Sequence, residues 1–347
     1  GKLHGRDQWT FLAILILPPL IGYFLPYDRS IAWAVAIYGV ALGLMFGEPL
    51  DGTYAGLYGF CLLVALGLTI IFGVMDIINF AHGEFLMVGM YTALLTSQAL
   101  GIDPLLTLPL AAVVGFLLGI VCYRGFITYI LRGPMIAQLL GTFGLMLLLR
   151  NIALLVFGSE DRALHQGLLV DKSFEMGLGI IVPATKLAGA GLSVVAFVGV
   201  WLLMTKTRMG KALTATALNP QGARYMGITT EKMNALAWGI GGASVTVAGA
   251  LIVHFWPVNP YVGLLFTMIA FAIVALGGFG SVPGAFAAAL VVGLITQIPG
   301  FWEFLTYTLE MDWMYDVPMT SFKYMWIYVA YFIIMVVRPR GLFGWKH

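Results

Sequence analysis

The feature that most constrains this chain is a succession of long apolar runs along its whole length. A membrane-spanning helix needs about 20 mostly apolar residues, with a range of about 17 to 25. Nine runs approach this length, and they occupy residues 11–27, 31–47, 55–75, 80–100, 105–123, 135–157, 187–204, 234–254 and 322–337. Two shorter runs, 262–276 and 284–298, flank a glycine-rich break at 277–283. The pattern predicts an all-α polytopic membrane protein with nine to eleven transmembrane helices, and with broken or short helices near 76–84 and 277–283.

Composition leads to the same class of protein. Charged residues make up 10% of the chain and hydrophobic residues 61%, whereas a soluble domain carries about 25% charged and about 45–50% apolar residues. A soluble protein of this size could not cover its surface with so few charges. The composition therefore excludes a cytosolic enzyme, a nucleic-acid-binding protein and a disordered scaffold.

Glycine is unusually frequent for a helical chain, with 43 residues. Small residues let helix backbones approach closely in a membrane, and helix association depends on this contact. Repeats with a spacing of four include Gly39, Gly43 and Gly47, Gly52 with Gly56, and Gly115 with Gly119. We interpret these glycines as positions of helix–helix packing.

Basic residues are unevenly distributed between the loops: ten Lys or Arg residues lie in one set and three in the other. The basic set comprises 124–134, 205–233 and 338–347, and the other set comprises 48–54, 97–104, 158–186 and 299–321. Lys and Arg accumulate in the cytoplasmic loops of membrane proteins. We therefore predict that the basic set and the carboxy terminus are cytoplasmic.

Segment 205–233 contains the pattern of two short helices. A basic amphipathic stretch ends at Leu218, and Asn219 followed by Pro220 is typical of the N-cap and first position of a second helix. Gly227 is suited to end that second helix. A rigid helix pair at the membrane surface suits docking into a groove of a cytoplasmic partner. Its basic residues fit equally well an interfacial helix held by anionic lipid.

Four polar residues, Asp76, Asn79, His82 and Glu84, lie at the junction of the third and fourth apolar runs. Ionisable residues at membrane depth are costly and by default indicate a substrate pathway or a gate. A short cytoplasmic turn with solvated side chains would explain the same pattern. No third or fourth ligand accompanies His82 and Glu84, so we predict no metal site.

A further charge, Arg150, lies inside the apolar run 135–157. Long basic side chains within a span commonly extend to the interface or bind a backbone carbonyl. We expect one of these two arrangements for Arg150, rather than contact with a substrate.

Four longer motifs stand out in the sequence. They are ALGLTIIFGVMDIINFAHGEFLMVGMY at 65–91, ALNPQGARYMGI at 217–228, AFAIVALGGFGSVPGAF at 270–286 and VVRPRGLFG at 336–344. Together, and in this order, they resemble the permease subunits of branched-chain amino-acid ABC importers, the LivH type. The resemblance covers about residues 55–344, so we predict a permease domain at 55–347 with a coupling loop at 205–233. Residues 1–54 would form an extra N-terminal transmembrane hairpin.

The resemblance implies an ABC importer permease of the bacterial inner membrane. Such a subunit would form the path for branched-chain or other hydrophobic amino acids, and urea, short amides or aromatic carboxylates are alternative substrates within the family. The implied partners are a second permease (homologous or identical), two cytoplasmic ATPases that use ATP and Mg, a periplasmic binding protein and membrane lipid. No nucleic-acid partner, catalytic residue or cofactor bound by this chain is expected.

The resemblance also implies roles for individual residues. The residues expected to couple the chain to an ATPase are Ala217, Asn219, Gly222, Ala223, Arg224 and Gly227. The residues expected to line a translocation path or gate are Asp76, Asn79, His82 and Glu84. The chain has no G-x-x-x-x-G-K-[ST] phosphate loop, so ATP chemistry would belong to another chain.

A second hypothesis makes the chain a self-sufficient secondary transporter or channel. Asp76, His82 and Glu84 would then form a proton or ion relay through the membrane. Ion-driven uptake by the isolated chain would favour this alternative, and copurification of an ATPase would favour the first.

Overall fold

The computed structural model describes residues 57–131, 133–164, 167, 172–175, 181–296, 322–338 and 341. The predicted N-terminal hairpin at 1–54, with its spans 11–27 and 31–47, lies outside the described residues. The described helices are α1 (Leu57–Met75), α2 (His82–Leu100), α3 (Leu108–Cys122), α4 (Thr128–Ile130), α5 (Met135–Phe157), α6 (Ala184–Lys206), α7 (Arg208–Leu218), α8 (Pro220–Tyr225), α9 (Thr230–Ile252), α10 (Val262–Gly277), α11 (Val282–Ile295) and α12 (Lys323–Val337).

Four helical segments of the described chain are long and apolar enough to cross a membrane. They are Pro104–Ile130, Met135–Phe157, Leu187–Lys206 and Thr230–Ile252. The first of them is continuous because a 3-10 turn precedes α3 and a π turn follows it. α10 and α11 form a fifth candidate if they are counted together, since they are bent by 119° at their break. The all-α polytopic architecture and the break predicted at 277–283 are confirmed.

One feature of the fold was not predicted: a short antiparallel pair of strands, β1 (Ser173–Glu175) and β2 (Ile181–Pro183), precedes α6. Phe174 pairs with Val182 at the centre of this ladder. Strands of three residues are too short to show the alternation by which a strand is recognised in a sequence.

α9 is the central helix of the described bundle, and 83% of its most apolar stretch is buried. Glycines let α1 and α3 approach it closely: a Cβ on Gly67 would lie 2.6 Å from the Gly241 carbonyl oxygen, and one on Gly115 would lie 2.6 Å from that of Gly242. Gly119 faces the Trp238 carbonyl in the same way. The packing role predicted for Gly115 and Gly119 is confirmed, because such close backbone approach requires small residues. The repeats before residue 57 lie outside the described residues.

The loops meet at two opposite ends of α9. α7 and α8 precede its first residue, and we call this the coupling end. At the other end, the distal end, the backbones of Arg162 and Val258 exchange hydrogen bonds of 2.9 and 2.8 Å. The Asn259 side chain donates to Asp161 there at 2.7 Å. The predicted cytoplasmic segment 205–233 and the first residues of the predicted outer segment 158–186 therefore lie at different ends of the bundle.

Candidate functional site

The first candidate site is the helix pair α7–α8 at the coupling end, and local hydrogen bonds fix both helix starts. The Thr207 hydroxyl accepts from the Gly210 amide at 3.1 Å and begins α7. The Asn219 side-chain oxygen accepts from the Gly222 amide at 2.8 Å, and Pro220 occupies the first position of α8. Each cap satisfies an amide that has no partner within its helix. The N-cap predicted at Asn219 is confirmed.

A left-handed glycine ends α8. Gly227 has φ of 81°, its amide donates to the Arg224 carbonyl at 3.0 Å, and the Ile228 amide donates to the Ala223 carbonyl at 2.9 Å. These two bonds form a Schellman motif, which uses a glycine because other residues rarely adopt positive φ. The helix end predicted at Gly227 is confirmed.

The predicted coupling residues have different surroundings. Ala223 is buried, whereas Ala217 and Gly222 are half-buried. The Arg224 side chain donates from Nε to the Thr230 hydroxyl at 2.9 Å and so ties α8 to the start of α9. Asn219 caps α8 with its side-chain oxygen, and Gly227 ends the helix with its left-handed backbone. Asn219, Arg224 and Gly227 are themselves exposed, so these residues both shape the helix pair and form part of its surface.

The two most exposed large apolar side chains of the pair belong to residues that the sequence patterns did not indicate. Tyr225 is 88% exposed and Met226 is 82% exposed, next to each other at the end of α8. Large exposed side chains on a capped, rigid helix are typical of a contact surface for another protein. A signal was present in the sequence, since both lie in a loop whose other residues are mainly small or polar.

The second candidate site is the segment Asp76–Glu84 between α1 and α2. Asp76 has φ of 54°, an uncommon value for a residue other than glycine, and its amide donates to the Phe72 carbonyl at 2.7 Å. The chain then runs without helix as far as His82. Asp76 is exposed, but Asn79, His82 and Glu84 are buried. The interpretation of this segment as a short solvated turn is therefore wrong.

Contacts to neighbouring helices show that this segment rises through the bundle from the coupling end. The Ile78 carbonyl accepts from the Thr142 hydroxyl of α5 at 3.0 Å. His82 Nε2 lies 2.7 Å from the Val64 carbonyl, in the middle of α1. The Gly83 amide donates to the Thr267 hydroxyl of α10 at 2.9 Å. Non-helical backbone at membrane depth is tolerated where protein covers it or where it borders a cavity.

Asn79 carries an unsatisfied polar group within this segment. Its side-chain oxygen accepts from the Ala81 amide at 3.1 Å, while its Nδ2 is buried without a hydrogen-bond partner. A buried donor without a partner costs free energy, about 1–3 kcal/mol. An orphan group of this kind needs an explanation, and a partner supplied by water, an ion, a ligand or a second conformation would provide one.

Glu84 and Arg150 form a buried ion pair. Arg150 donates to Glu84 Oε1 from Nη2 at 2.6 Å and from Nε at 3.2 Å. The Arg150 side chain is 12% exposed and the Glu84 side chain 1% exposed. Glu84 Oε2 is buried without a partner. The expectation that Arg150 snorkels or binds a carbonyl is wrong, because a carboxylate 66 residues away in the chain lies beside it.

The three residues proposed for an ion relay are not brought together. His82 contacts a backbone carbonyl, Glu84 contacts Arg150, and Asp76 lies at the exposed start of the segment. Within the residues that the structure describes, no hydrogen bond joins any two of them. A proton relay requires such contacts or bridging water, so the direct contacts do not support the alternative.

A cavity of about 760 Å³ lies at the coupling end, where the two candidate sites meet. Its walls are the last residues of α1 with Asp76, the end of α6, one side of α7 and the break between α10 and α11. Polar side chains on the wall include Thr69, Thr205, Thr214 and Ser281. Asp76, at the foot (the first residue) of the buried polar segment, therefore borders the same cavity as α7 of the helix pair α7–α8, which we call the coupling pair.

These features define a multi-pass membrane protein with a capped surface helix pair and a buried polar segment. The profile of the family described as "Branched-chain amino acid transport system / permease component" matches residues 53–337. The chain belongs to this family of transport permeases.

Individual relatives agree with this family. The chain is 29% identical over 310 residues to the high-affinity branched-chain amino acid transport system permease protein LivH of Salmonella typhimurium, covering 86% of this chain and 93% of that protein. It is 26% identical to BraD, the corresponding permease protein of Pseudomonas aeruginosa, over 89% of this chain and 97% of BraD. It is also 28% identical to the autoinducer 2 import system permease protein LsrC of Escherichia coli O157:H7, over 86% of this chain and 83% of LsrC. No solved structure gives a significant match.

Proposed function

We propose that this chain is a permease subunit of an ATP-driven importer in the bacterial inner membrane, with its carboxy terminus in the cytoplasm. A second permease, identical or homologous, completes the translocation path. Two ATPase subunits bind ATP and Mg and supply the energy, and a periplasmic binding protein delivers the substrate. Branched-chain or other hydrophobic amino acids are the proposed substrates, in keeping with the names of the relatives LivH and BraD.

The observation that carries the proposal is the construction of α7–α8. Caps at Thr207 and Asn219 and the Schellman motif at Gly227 make a rigid pair. The pair presents Tyr225 and Met226 to the exterior. A rigid surface helix with exposed large side chains fits a groove on a partner and can transmit a displacement into the membrane.

The proposed transmission runs through the cavity at the coupling end. One side of α7 and the end of α6 form walls of this space, and Asp76 at the foot of the buried segment forms another. A displacement of α7 toward or away from the bundle therefore changes the space below Asp76 directly. We propose that Asp76, Asn79, His82 and Glu84 border the path whose inner opening this displacement controls.

The test is transport by the assembled complex in proteoliposomes, with the double variant Tyr225→Ala, Met226→Ala in the chain. Loss of the two exposed side chains leaves the caps and the buried Ala223 in place, so the chain is expected to insert as the unaltered protein does. ATP hydrolysis stimulated by the binding protein and uptake of leucine are both expected to fall about tenfold or more, as for loss of an interface hot spot.

The matched control is Tyr129→Ala. Tyr129 is 69% exposed but belongs to α4 rather than to the coupling pair. The complex that contains Tyr129→Ala should hydrolyse ATP and take up leucine at the rates of the unaltered complex. Normal stimulated hydrolysis in the double variant would overturn the proposed coupling surface, and ion-driven uptake by the chain without ATPase subunits would overturn the proposed function.

A further inference from the structure

We propose that Arg150 forms a carboxylate-binding site on the translocation path and that Glu84 positions it. The substrates of this permease would then carry a carboxylate group, as amino acids do, and neutral molecules such as urea or short amides would not use the site. The inference rests on the proposed function, because it needs a path along α5.

The first step concerns the hydrogen-bond donors of Arg150. A guanidinium has five N–H donors in a planar fork. Nε and Nη2 donate to Glu84 Oε1 alone. No other acceptor among the described residues is hydrogen-bonded to this side chain, so Nη1 has donors available. A planar fork with a free edge is suited to a second carboxylate.

The second step concerns the pattern of the ion pair. A pair formed only for mutual neutralisation gains most when two parallel hydrogen bonds join two nitrogens to two oxygens. Here both donors converge on one oxygen, and Glu84 Oε2 is buried without a partner. Glu84 thus binds one edge of the guanidinium and leaves the other edge without a hydrogen-bond acceptor.

The third step concerns access. Arg150 is 12% exposed and Glu84 only 1%, so the guanidinium is the reachable member of the pair. The Tyr261 ring, 53% exposed, lies 5.9 Å from the guanidinium carbon on the side of the distal end. Asn151, the next residue, is exposed as well. A charged group within a span faces protein or water, since contact with lipid is costly.

The remaining step places the partly exposed guanidinium of Arg150 on a path. Only 22% of the most apolar stretch of α5 is buried by the described residues, so the helix has surface left for the second permease of the proposed function, with which it would enclose a path. The ion pair begins where the buried polar segment ends, at Glu84. Arg150 therefore marks the distal end of the same polar route whose foot is Asp76 at the cavity.

The charge balance suits a transient site. Glu84 already neutralises Arg150, so a second carboxylate shares one cation with it and binds only weakly. Transport requires binding that is favourable enough for entry and weak enough for release. A lone, unpaired arginine at this depth would hold a carboxylate more strongly and would be costly in the empty state.

The test on the unaltered protein is chemical protection. The assembled complex is treated with phenylglyoxal, which modifies accessible arginine, and the modification of Arg150 and Arg124 is followed by peptide mass spectrometry. Leucine and isovalerate, which carry a carboxylate, should slow modification of Arg150 about tenfold at about ten times their Kd. Leucinamide, whose carboxylate is blocked, should leave the rate unchanged.

Arg124 is the internal control, because it is exposed at the opposite, coupling end. Its modification should not respond to any of the three ligands. Equal modification of Arg150 with and without leucine would overturn the inference, and so would equal protection by leucinamide. Failure of Arg150 to react at all would overturn it too, since the proposed site must be reachable.

A second test separates the site from a purely structural ion pair. The swapped variant Glu84→Arg, Arg150→Glu keeps opposite charges at the two positions but moves the cation to the buried one. Arg150→Lys keeps the charge at its place without the planar fork. If the ion pair is only structural, the swapped variant should take up leucine at the rate of the unaltered complex. This result would overturn the inference.

If Arg150 binds the carboxylate, the swap should stay about tenfold or more below the unaltered complex, a loss typical of a charged hydrogen bond. Arg150→Lys should then retain more uptake than Arg150→Gln at equal amounts of assembled complex. Uptake by Arg150→Gln at the unaltered rate would overturn the inference. Failure of the unaltered complex to import any carboxylate would instead be a failure of the proposed function.

Discussion

The coupling pair α7–α8 and the buried segment Asp76–Glu84 are built in opposite ways. Every hydrogen bond that shapes the coupling pair joins residues close in the chain, such as Asn219 with Gly222. The buried segment is held by residues far away in the chain, such as Thr142 at Ile78 and Arg150 at Glu84. The coupling pair is a rigid body that can be displaced as a unit. The conformation of the buried segment depends on the positions of the three helices that contact it, α1, α5 and α10.

This difference predicts where substitutions act. Changes at Gly83 or Glu84 should alter the stability of the whole bundle, because their contacts with Thr267 and Arg150 join separate helices. Changes in the coupling pair should alter coupling while the bundle stays intact.

The largest effect is expected from breaking the buried ion pair. Glu84→Met leaves the Arg150 guanidinium without its carboxylate, and removal of one member of a buried pair costs about 3–5 kcal/mol. Thermal unfolding in detergent should show a large loss of stability. The double variant Glu84→Met, Arg150→Met should recover most of it, because apolar residues of similar volume often replace a buried pair without loss. A single variant as stable as the unaltered chain would show that the pair does not hold the segment.

A smaller effect is expected where the segment meets α10. A Cβ on Gly83 would collide with the Gly263 carbonyl, so Gly83→Ala must separate α2 from α10. Overpacking of this kind costs about 1–3 kcal/mol, and thermal unfolding should report it. The control is Gly144→Ala on α5, where a Cβ meets nothing within 4 Å. Equal stability of the two variants would contradict the close contact.

Loss of the α8 cap should affect coupling more than folding. Asn219→Ala removes the acceptor for the Gly222 amide, at a cost of about 1 kcal/mol that is confined to α8. Stimulated ATP hydrolysis should fall several-fold while the amount of inserted chain stays unchanged. Asn219→Asp keeps the cap and should couple normally. An equal loss of stimulated ATP hydrolysis in both variants would show that the helix cap is not the reason why Asn219 contributes to coupling.

The smallest effect is expected at Asp76. Its left-handed backbone is tolerated by aspartate but is easier for glycine, so Asp76→Gly should raise stability by less than about 1 kcal/mol. If the carboxylate borders the inner opening of the path, uptake should fall although stability rises. Unchanged uptake would remove Asp76 from the proposed path.

The same contrast explains how much could be predicted from the sequence. The starts and end of α8 follow from residue types next to one another, Asn219, Pro220 and Gly227, so they were predicted correctly. The break at 277–283 follows from its glycines and proline in the same way. The partner of Arg150 could not be predicted, because nothing local to residue 150 indicates a carboxylate 66 positions earlier. Tyr225 and Met226 are a different case: two large residues among small and polar ones mark an unusual position, but the sequence does not tell whether such side chains are buried or exposed.

The central claim, that α8 contacts an ATPase subunit, is tested most directly by cross-linking. Met226→Cys places a thiol at an 82% exposed position, and both native cysteines, Cys61 and Cys122, are buried. A short bifunctional maleimide should join this thiol to the ATPase chain in the assembled complex, whereas a thiol placed by Leu100→Cys, 67% exposed at the distal end of α2, should not react with that chain. A cross-linked product with the ATPase chain is expected for position 226 and not for position 100. No product at position 226, or equal yields at both positions, would contradict it.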